Sequence, residues 1–135
     1  IIKRFDFETS FIYLSVPQLI AYIYQLLDLQ PTQDVYNRSN LKLTKSFKEL
    51  LLINWIVPFM YWYGQTTEDE SIVNNALEIL TALPPEKNGI LNKWIEFGRV
   101  VNNAADSQAL LEIFNEFCTK KKCLSCSIGY CLLNK

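Results

Sequence analysis

The sequence contains no histidine. This absence excludes a Ser-His or Cys-His nucleophile pair, a histidine general base and every zinc site with an imidazole ligand. Any chemistry in this chain would have to use carboxylates or thiols. Because no acid/base pair, nucleophile pair or phosphate-binding loop is recognisable among the remaining residues, the sequence assigns no catalytic residue.

Glycine and proline are scarce, with 4 and 5 residues, and neither sign of charge dominates, since 13 basic residues oppose 14 acidic ones. Half of the 135 residues are hydrophobic, which excludes a disordered or fibrous chain. A formal net charge of −1 excludes a global attraction to nucleic acid or to an anionic membrane. A chain of this length buries roughly two thirds of its unfolded surface in one core. We therefore predict a single helical domain over residues 1–135.

Long hydrophobic runs are also missing. No apolar run reaches the roughly 20 residues that span a bilayer, and charges in the N-terminal stretch IIKRFDFE interrupt the apolar region of a secretory signal. We therefore expect no membrane contact and a cytoplasmic location. The chain begins with Ile1 and its single methionine is Met60, which predicts that it is a fragment or a processed product of a longer protein.

The most apolar stretch runs from Leu50 to Tyr63 (LLLINWIVPFMYWY), and only Asn54 and Pro58 interrupt it. A helix that is apolar on every side is normally covered on every side. We therefore predict an all-α fold, an irregular helical bundle around this central buried helix, with a short Cys-rich C-terminal segment. Pro58 should kink the central helix, and Gly64 should end it.

Amphipathic segments on both sides of this stretch supply the predicted covering. Apolar residues recur with helical spacing over residues 16–27, 72–80, 90–101 and 110–118, and the last of these places Cys118 on the core face. Residues 1–14 are expected to form an extended lead-in, and the polar residues 30–42 a long connection. The predicted helix starts are Ser15 with Pro17, the capping boxes Ser46/Glu49 and Thr67/Glu70, Asn88, and Asp106 or Ser107.

Two groups of side chains admit a functional interpretation beside a structural one. The acidic run at residues 68–70 could supply catalytic carboxylates, although negative charge at a helix start explains it more simply. The tryptophans and tyrosines of the central helix could stack on bases, although aromatics at helical spacing are usually core.

The four cysteines are the most specific signal in the sequence, because they all lie in the last eighteen residues. Cys118, Cys123, Cys126 and Cys131 have the spacing C-x4-C-x2-C-x4-C. Four thiolates at this spacing could hold zinc or an iron–sulfur cluster, and the short gaps favour the cluster. Structural disulfides and plain core thiols are the alternatives.

Three consecutive lysines, Lys120, Lys121 and Lys122, lie between the first two cysteines. They could offset the negative charge of a thiolate site, remain a hydrated surface, or contact an anion such as phosphate. We therefore treat them as candidate anion contacts.

Three stretches carry a family resemblance: LTKSFKELLLINWIVPFMYWYG at residues 43–64, LPPEKNGILNKW at 83–94 and DSQALLEIFNEFCTKKKCLSCSIG at 106–129. They resemble the C-terminal helical region of an uncharacterised bacterial protein family, domain of unknown function 2851. The resemblance implies an N-terminal half similar to restriction-endonuclease-like nucleases, none of whose motifs occur here. The resemblance also implies that Cys118, Cys123 and Cys126 correspond to the cysteines of the family pattern, whereas Cys131 lies outside it.

These observations together predict a structural or interaction module with a Cys-bound metal or iron–sulfur site. The alternative is an accessory domain of a nucleic-acid-processing, nuclease-like enzyme. The expected partner is the N-terminal remainder of the same protein, and any nucleic acid would be reached through that remainder.

Overall fold

The computed structural model describes residues 14–28 and 43–133, in which helices are the only regular secondary structure. The all-α prediction is therefore confirmed. The extended lead-in predicted for residues 1–14 lies outside the described residues except for Leu14, and the connection predicted for residues 30–42 lies entirely outside them. The chain divides into two compact units, Ile1–Leu83 and Pro84–Lys135. The prediction of one helical domain over the whole chain stays a prediction.

The first unit contains four α-helices, among its described residues, and a π-helical turn. The helices are α1 (Val16–Leu27), α2 (Lys45–Leu51), α3 (Val57–Thr66) and α4 (Glu70–Ala82), and the π turn Leu52–Ile56 joins α2 to α3. Helix α4 packs against both α1 and α3. The start of α1 is as predicted, since the Ser15 amide donates to Oε1 of Gln18 at 3.0 Å and Pro17 lies in the first turn.

The start of α2 differs from the predicted Ser46/Glu49 capping box. Thr44 caps the helix instead, and its hydroxyl oxygen accepts a hydrogen bond from the Phe47 amide at 3.3 Å. Glu49 lies 3.9 Å from the Lys45 ammonium group, one turn earlier on the same helix. The helix therefore begins two residues before the box that the sequence predicted.

Helical structure continues through Pro58, because the turn that precedes it is widened. The Val57 amide donates to the Leu52 carbonyl five residues back, so the π turn comes directly before a residue that has no amide hydrogen. The prediction that Gly64 ends the helix is wrong, because Gly64 lies inside α3. A Cβ atom at Gly64 would lie 2.8 Å from Cγ2 of Val73, so this glycine allows α3 and α4 to approach closely.

The central helix is not buried on every side, which corrects the sequence prediction. One side carries buried residues, among them Leu52, Val57 and Met60. On the other side Trp55 is 73% exposed and Trp62 is 59% exposed. The apolar composition indicated how much surface should be covered, but among the described residues of this unit α4 covers only one side. The side that carries Trp55 and Trp62 is an exposed apolar surface.

A buried lysine joins α2 to α1. Lys48 forms an ion pair with Asp28, and its ammonium group also lies 3.5 Å from the Tyr24 carbonyl oxygen and 5.5 Å from the centre of the Tyr24 ring. A buried charge needs such partners, because unpaired burial of an ammonium group is costly. This cluster therefore fixes α2 against the end of α1.

The second unit contains three further α-helices among its described residues. They are α5 (Gly89–Glu96), α6 (Ala104–Ile113) and α7 (Ser127–Leu133), with a π turn at Phe114–Cys118 and a 3-10 turn at Cys123–Ser125. Asn88 caps α5 as predicted and accepts from the amides of Ile90 and Leu91. The expected extension of α5 toward Val101 is wrong, since the helix ends before Gly98, whose φ is +79°.

Helix α6 begins at Ala104, two residues before Asp106 and three before Ser107, which were the two predicted starts. Asn103 is the cap: its side chain accepts from the Asp106 amide, and the Asp106 carboxylate accepts from the Asn102 amide. Ser107 is fully buried inside the helix instead of capping it. Its hydroxyl oxygen accepts from the Glu86 amide at 3.2 Å, which attaches the segment before α5 to α6.

Candidate functional site

The cysteines lie in the last part of the second unit, where a π turn, a hydrogen-bonded turn at residues 119–121 and a 3-10 turn follow one another. The π turn ends at Cys118, the 3-10 turn begins at Cys123, and Cys126 immediately precedes α7. Backbone hydrogen bonds hold these turns together, from the Lys122 amide to the Phe117 carbonyl at 2.9 Å and from the Tyr130 amide to the Cys126 carbonyl at 2.7 Å. The backbone therefore returns on itself between the first and third cysteines.

Gly129 permits α7 to pack directly on the 3-10 turn. A Cβ atom at this position would lie 2.3 Å from the carbonyl oxygen of Cys123 and 2.9 Å from its carbonyl carbon. No larger residue fits unless the backbone moves. The close approach of α7 to Cys123 is therefore specified by a single glycine.

These turns enclose one side of a cleft with a volume of about 410 Å³. The other side is formed by the end of α5 and the residues after it, and the cleft surface is mostly apolar. Its apolar walls are Trp94, Phe97, Phe117 and Ile128, and the remaining lining residues are Arg99, Gly129, Cys118, Cys123 and Cys126. We call this feature the thiol cleft.

The structure brings three of the four predicted site cysteines to the thiol cleft and leaves out the fourth. Cys126 is buried, Cys118 and Cys123 are exposed, and Cys131 is exposed without lining the cleft. The prediction that Cys118 faces the core is wrong. The helix widens into a π turn at residues 114–118, so the line of apolar side chains at helical spacing changes direction there. All four cysteines are free thiols.

The three cleft cysteines lie close enough to influence one another electrostatically. Partial desolvation of the Cys118 thiol is the largest cause that raises its pKa, and repulsion from the thiolate forms of Cys126 and Cys123 raises it further. Within residues 14–28 and 43–133, no three cysteine, aspartate or glutamate side chains are arranged to hold a metal ion.

The candidate anion contacts Lys120, Lys121 and Lys122 are exposed and do not line the thiol cleft. Lys120 forms an ion pair with Glu116 one turn earlier. The hydrogen bond from Lys120 lowers the pKa of the Glu116 carboxyl group, and the positive charges of Lys120 and Lys122 lower it further. Glu116 thus balances part of the positive charge of the three lysines. Contact of these lysines with an anion stays a prediction.

The acidic run at residues 68–70 begins α4, as its structural interpretation predicted, but the capping residue is Asp69 and not Thr67. Its carboxylate accepts from the Ser71 amide at 2.9 Å and the Ile72 amide at 3.4 Å. The hydrogen bond from the Ser71 hydroxyl lowers the pKa of Asp69, and the two amides lower it further. Glu68 has a φ of +56°, which turns the chain into the cap.

A second candidate surface lies on the first unit, along the uncovered side of α2 and α3. Its exposed side chains recur with the period of a helix, and we call them the aromatic face: Phe47, Leu50, Trp55, Phe59 and Trp62. The Phe59 ring lies 5.9 Å from the Trp62 ring, measured between centroids. No charged residue occurs between Leu50 and Thr67. The apolar composition of this face predicted that it lies in the core, so the sequence did not identify it as a surface.

Arg99 is a residue of the thiol cleft that the sequence did not predict as a site residue. It is separated in the sequence from the cysteines, and only the fold brings it to the same cleft. Gly98 indicated where α5 ends, since glycine directly after a helix is common, but no local signal placed Arg99 at the cleft.

Among the described residues, none of the helices has the length and apolar character that crossing a membrane requires.

Comparison with known proteins gives one partial likeness. A sequence profile of the family described as protein of unknown function (DUF2851) matches residues 30–89. This stretch includes the aromatic face and all of α4, and it is less than half of the chain. No curated protein and no solved structure matches the chain.

Proposed function

We propose that this chain is an interaction module that docks through the aromatic face. The observation that carries the proposal is the exposure of two tryptophans on one uncharged helical surface. Exposed apolar patches of more than a few hundred Å² mark contact sites in proteins that are otherwise stable alone. Tryptophan is also among the residues that contribute most to binding energy at the centre of an interface.

The size of the aromatic face suits an interface between domains. If a large side chain has about 200 Å² of surface, the five side chains together expose roughly 500 Å². Covering such a face with an equal area of a partner buries roughly 1,000 Å², and interfaces between domains of one chain bury about 600–1,500 Å². Since the face has no charge, its partner surface is apolar and uncharged as well.

The occupant that we propose is a second domain of the same polypeptide, similar to restriction-endonuclease-like nucleases. The family resemblance supports this choice, because it implies a nuclease-like half that precedes the helical region. The family match at residues 30–89 includes the whole aromatic face. If this second domain cleaves nucleic acid, the chain serves as its accessory domain.

Hydroxyl-radical footprinting tests the proposal. We expect Trp55, Phe59 and Trp62 to be oxidised in the 135-residue chain and to be protected at least severalfold in the polypeptide that also contains the preceding domain. Mass spectrometry locates the oxidised residues. Phe97 is the matched control, because it is an aromatic residue of the other unit and is 79% exposed.

Two results would overturn this assignment. Equal oxidation of the aromatic face in both polypeptides would show that the preceding domain does not cover it. Protection that appears in the 135-residue chain alone as its concentration rises would identify a second copy as the occupant.

The second candidate function is metal binding by the thiol cleft, favoured because Cys118, Cys123 and Cys126 line one cleft. Thiolates are the preferred ligands of zinc and of iron–sulfur clusters, so the donor set suits either group. The described residues hold no arrangement of three ligands ready for an ion, so binding requires the side chains to move and the thiols to lose their protons.

Elemental analysis of protein that is purified and handled without air tests the metal proposal. We expect a stoichiometric metal, with zinc giving a colourless protein and an iron–sulfur cluster a brown one. Cys123→Ser should lose the metal, whereas the matched change Cys131→Ser should keep it, because Cys131 does not line the cleft. Metal-free wild-type protein, or equal loss in both variants, would contradict the three-cysteine site.

A further inference from the structure

Arg99 is held beside the thiol cleft by the way α5 ends. Gly98 has a φ of +79°, its amide donates to the Ile95 carbonyl at 2.9 Å, and the Arg99 amide donates to the Trp94 carbonyl at 3.0 Å. These two hydrogen bonds form a Schellman motif, which fixes the backbone on both sides of the glycine. The backbone of Arg99 therefore has a defined position relative to Trp94.

The cleft combines apolar walls with a single positive charge. Trp94, Phe97, Phe117 and Ile128 supply the walls, and Arg99 is the one charged residue among the described residues of the lining. A volume of about 410 Å³ lies within the range of small-molecule sites. No ion pair joins Arg99 to a carboxylate anywhere in the part of the chain that the structure describes.

No aspartate or glutamate is among the described residues that line the cleft, so no carboxylate of the lining balances the charge of Arg99. A guanidinium group without a carboxylate partner binds carboxylate oxygens through paired N–H donors. The charge of the cleft therefore complements an anionic group, and its walls complement an apolar body.

We propose that the thiol cleft binds a small apolar molecule that carries one carboxylate. The apolar body packs between Trp94, Phe97 and Phe117, and the Arg99 guanidinium donates hydrogen bonds to the carboxylate. This activity lies in the second unit and does not depend on the docking proposed for the aromatic face. It also requires no metal.

Isothermal titration of the 135-residue chain with two matched probes tests this proposal. 4-Phenylbutyrate and 4-phenylbutanol have the same apolar body and differ in the carboxylate. We expect one molecule of 4-phenylbutyrate per chain to bind about tenfold more tightly than the alcohol, because a hydrogen bond to a charged group is worth about that factor. The protein is treated with a chelator beforehand, so that a thiol-bound metal cannot supply the positive charge.

Two substitutions assign the binding to the cleft. Arg99→Gln should weaken 4-phenylbutyrate about tenfold and leave 4-phenylbutanol unchanged. Lys93→Gln is the matched control, because Lys93 is an exposed cation of α5 that does not line the cleft, and it should change neither affinity. Both positions are exposed, so far-UV circular dichroism should show that both variants fold.

Three outcomes would overturn the proposal. The first is the absence of saturable binding by either probe. The second is equal affinity for the acid and the alcohol. The third is a preference for the acid that survives Arg99→Gln, which would assign the carboxylate to another cation.

Discussion

Gly129→Ala is expected to destabilise the second unit by about 3 kcal/mol, at the upper end of the cost of overpacking. The added methyl group would lie 2.3 Å from the Cys123 carbonyl oxygen and would contact two further backbone atoms of the same residue. A flexible side chain could rotate away from such a contact, but a backbone carbonyl cannot. The strain is therefore relieved only if α7 separates from the 3-10 turn.

Separation of α7 has a second expected effect, on the thiols. Cys126 is buried between the 3-10 turn and α7, so it should react slowly with iodoacetamide in the wild-type chain. In Gly129→Ala we expect its alkylation to become at least tenfold faster, with the modified residue located by mass spectrometry. Cys131 is already exposed, and its rate should change little.

Gly89→Ala is the matched control for this substitution. Gly89 begins α5, and a Cβ atom there would meet no heavy atom within 4 Å. Alanine should stabilise the protein by about 0.4–1 kcal/mol, because it reduces the freedom of the unfolded chain. The two variants therefore have opposite expected signs in urea denaturation. A Gly129→Ala variant as stable as the wild type would show that α7 does not pack on the Cys123 backbone.

Sequence patterns located the helices well where a single local signal decides the start. Ser15 and Asn88 were predicted as caps, and each is the cap in the structure. Where two residues that can cap a helix lie near each other, the capping pattern predicted the wrong one. Thr44 caps α2 in place of Ser46, which lies inside the first turn, and the expected partner Glu49 lies 3.9 Å from the Lys45 ammonium group.

The cysteine spacing predicted the site only in part. One cleft is lined by Cys118, Cys123 and Cys126, because a π turn and a 3-10 turn follow each other within a few residues. The short spacing of these cysteines in the sequence indicated that they lie close together. The opposite wall could not be predicted, because Trp94 and Arg99 reach the cleft only through the packing of distant segments. Local patterns contain no information on such contacts.

The clearest failure concerns the central helix, and it has a physical reason. Its apolar composition showed that much of its surface should leave water, but composition does not say which molecule covers it. Within the described residues of the first unit, α4 packs on α3 from one side and α1 packs on α4. Among the described residues the aromatic face is therefore exposed, although its apolar composition predicted that it lies in the core.

A pair of identical substitutions separates these two interpretations of the central helix. Leu52→Ala should lower the free energy of unfolding by about 2–5 kcal/mol, because Leu52 is 0% exposed and its loss leaves a cavity. Leu50→Ala removes the same atoms from the aromatic face, where the residue is 45% exposed, and should cost less than about 1 kcal/mol. Urea denaturation followed by circular dichroism measures both values. Equal large losses would mean that the helix is covered on both sides in the isolated chain, and the aromatic face would then be core and not a docking surface.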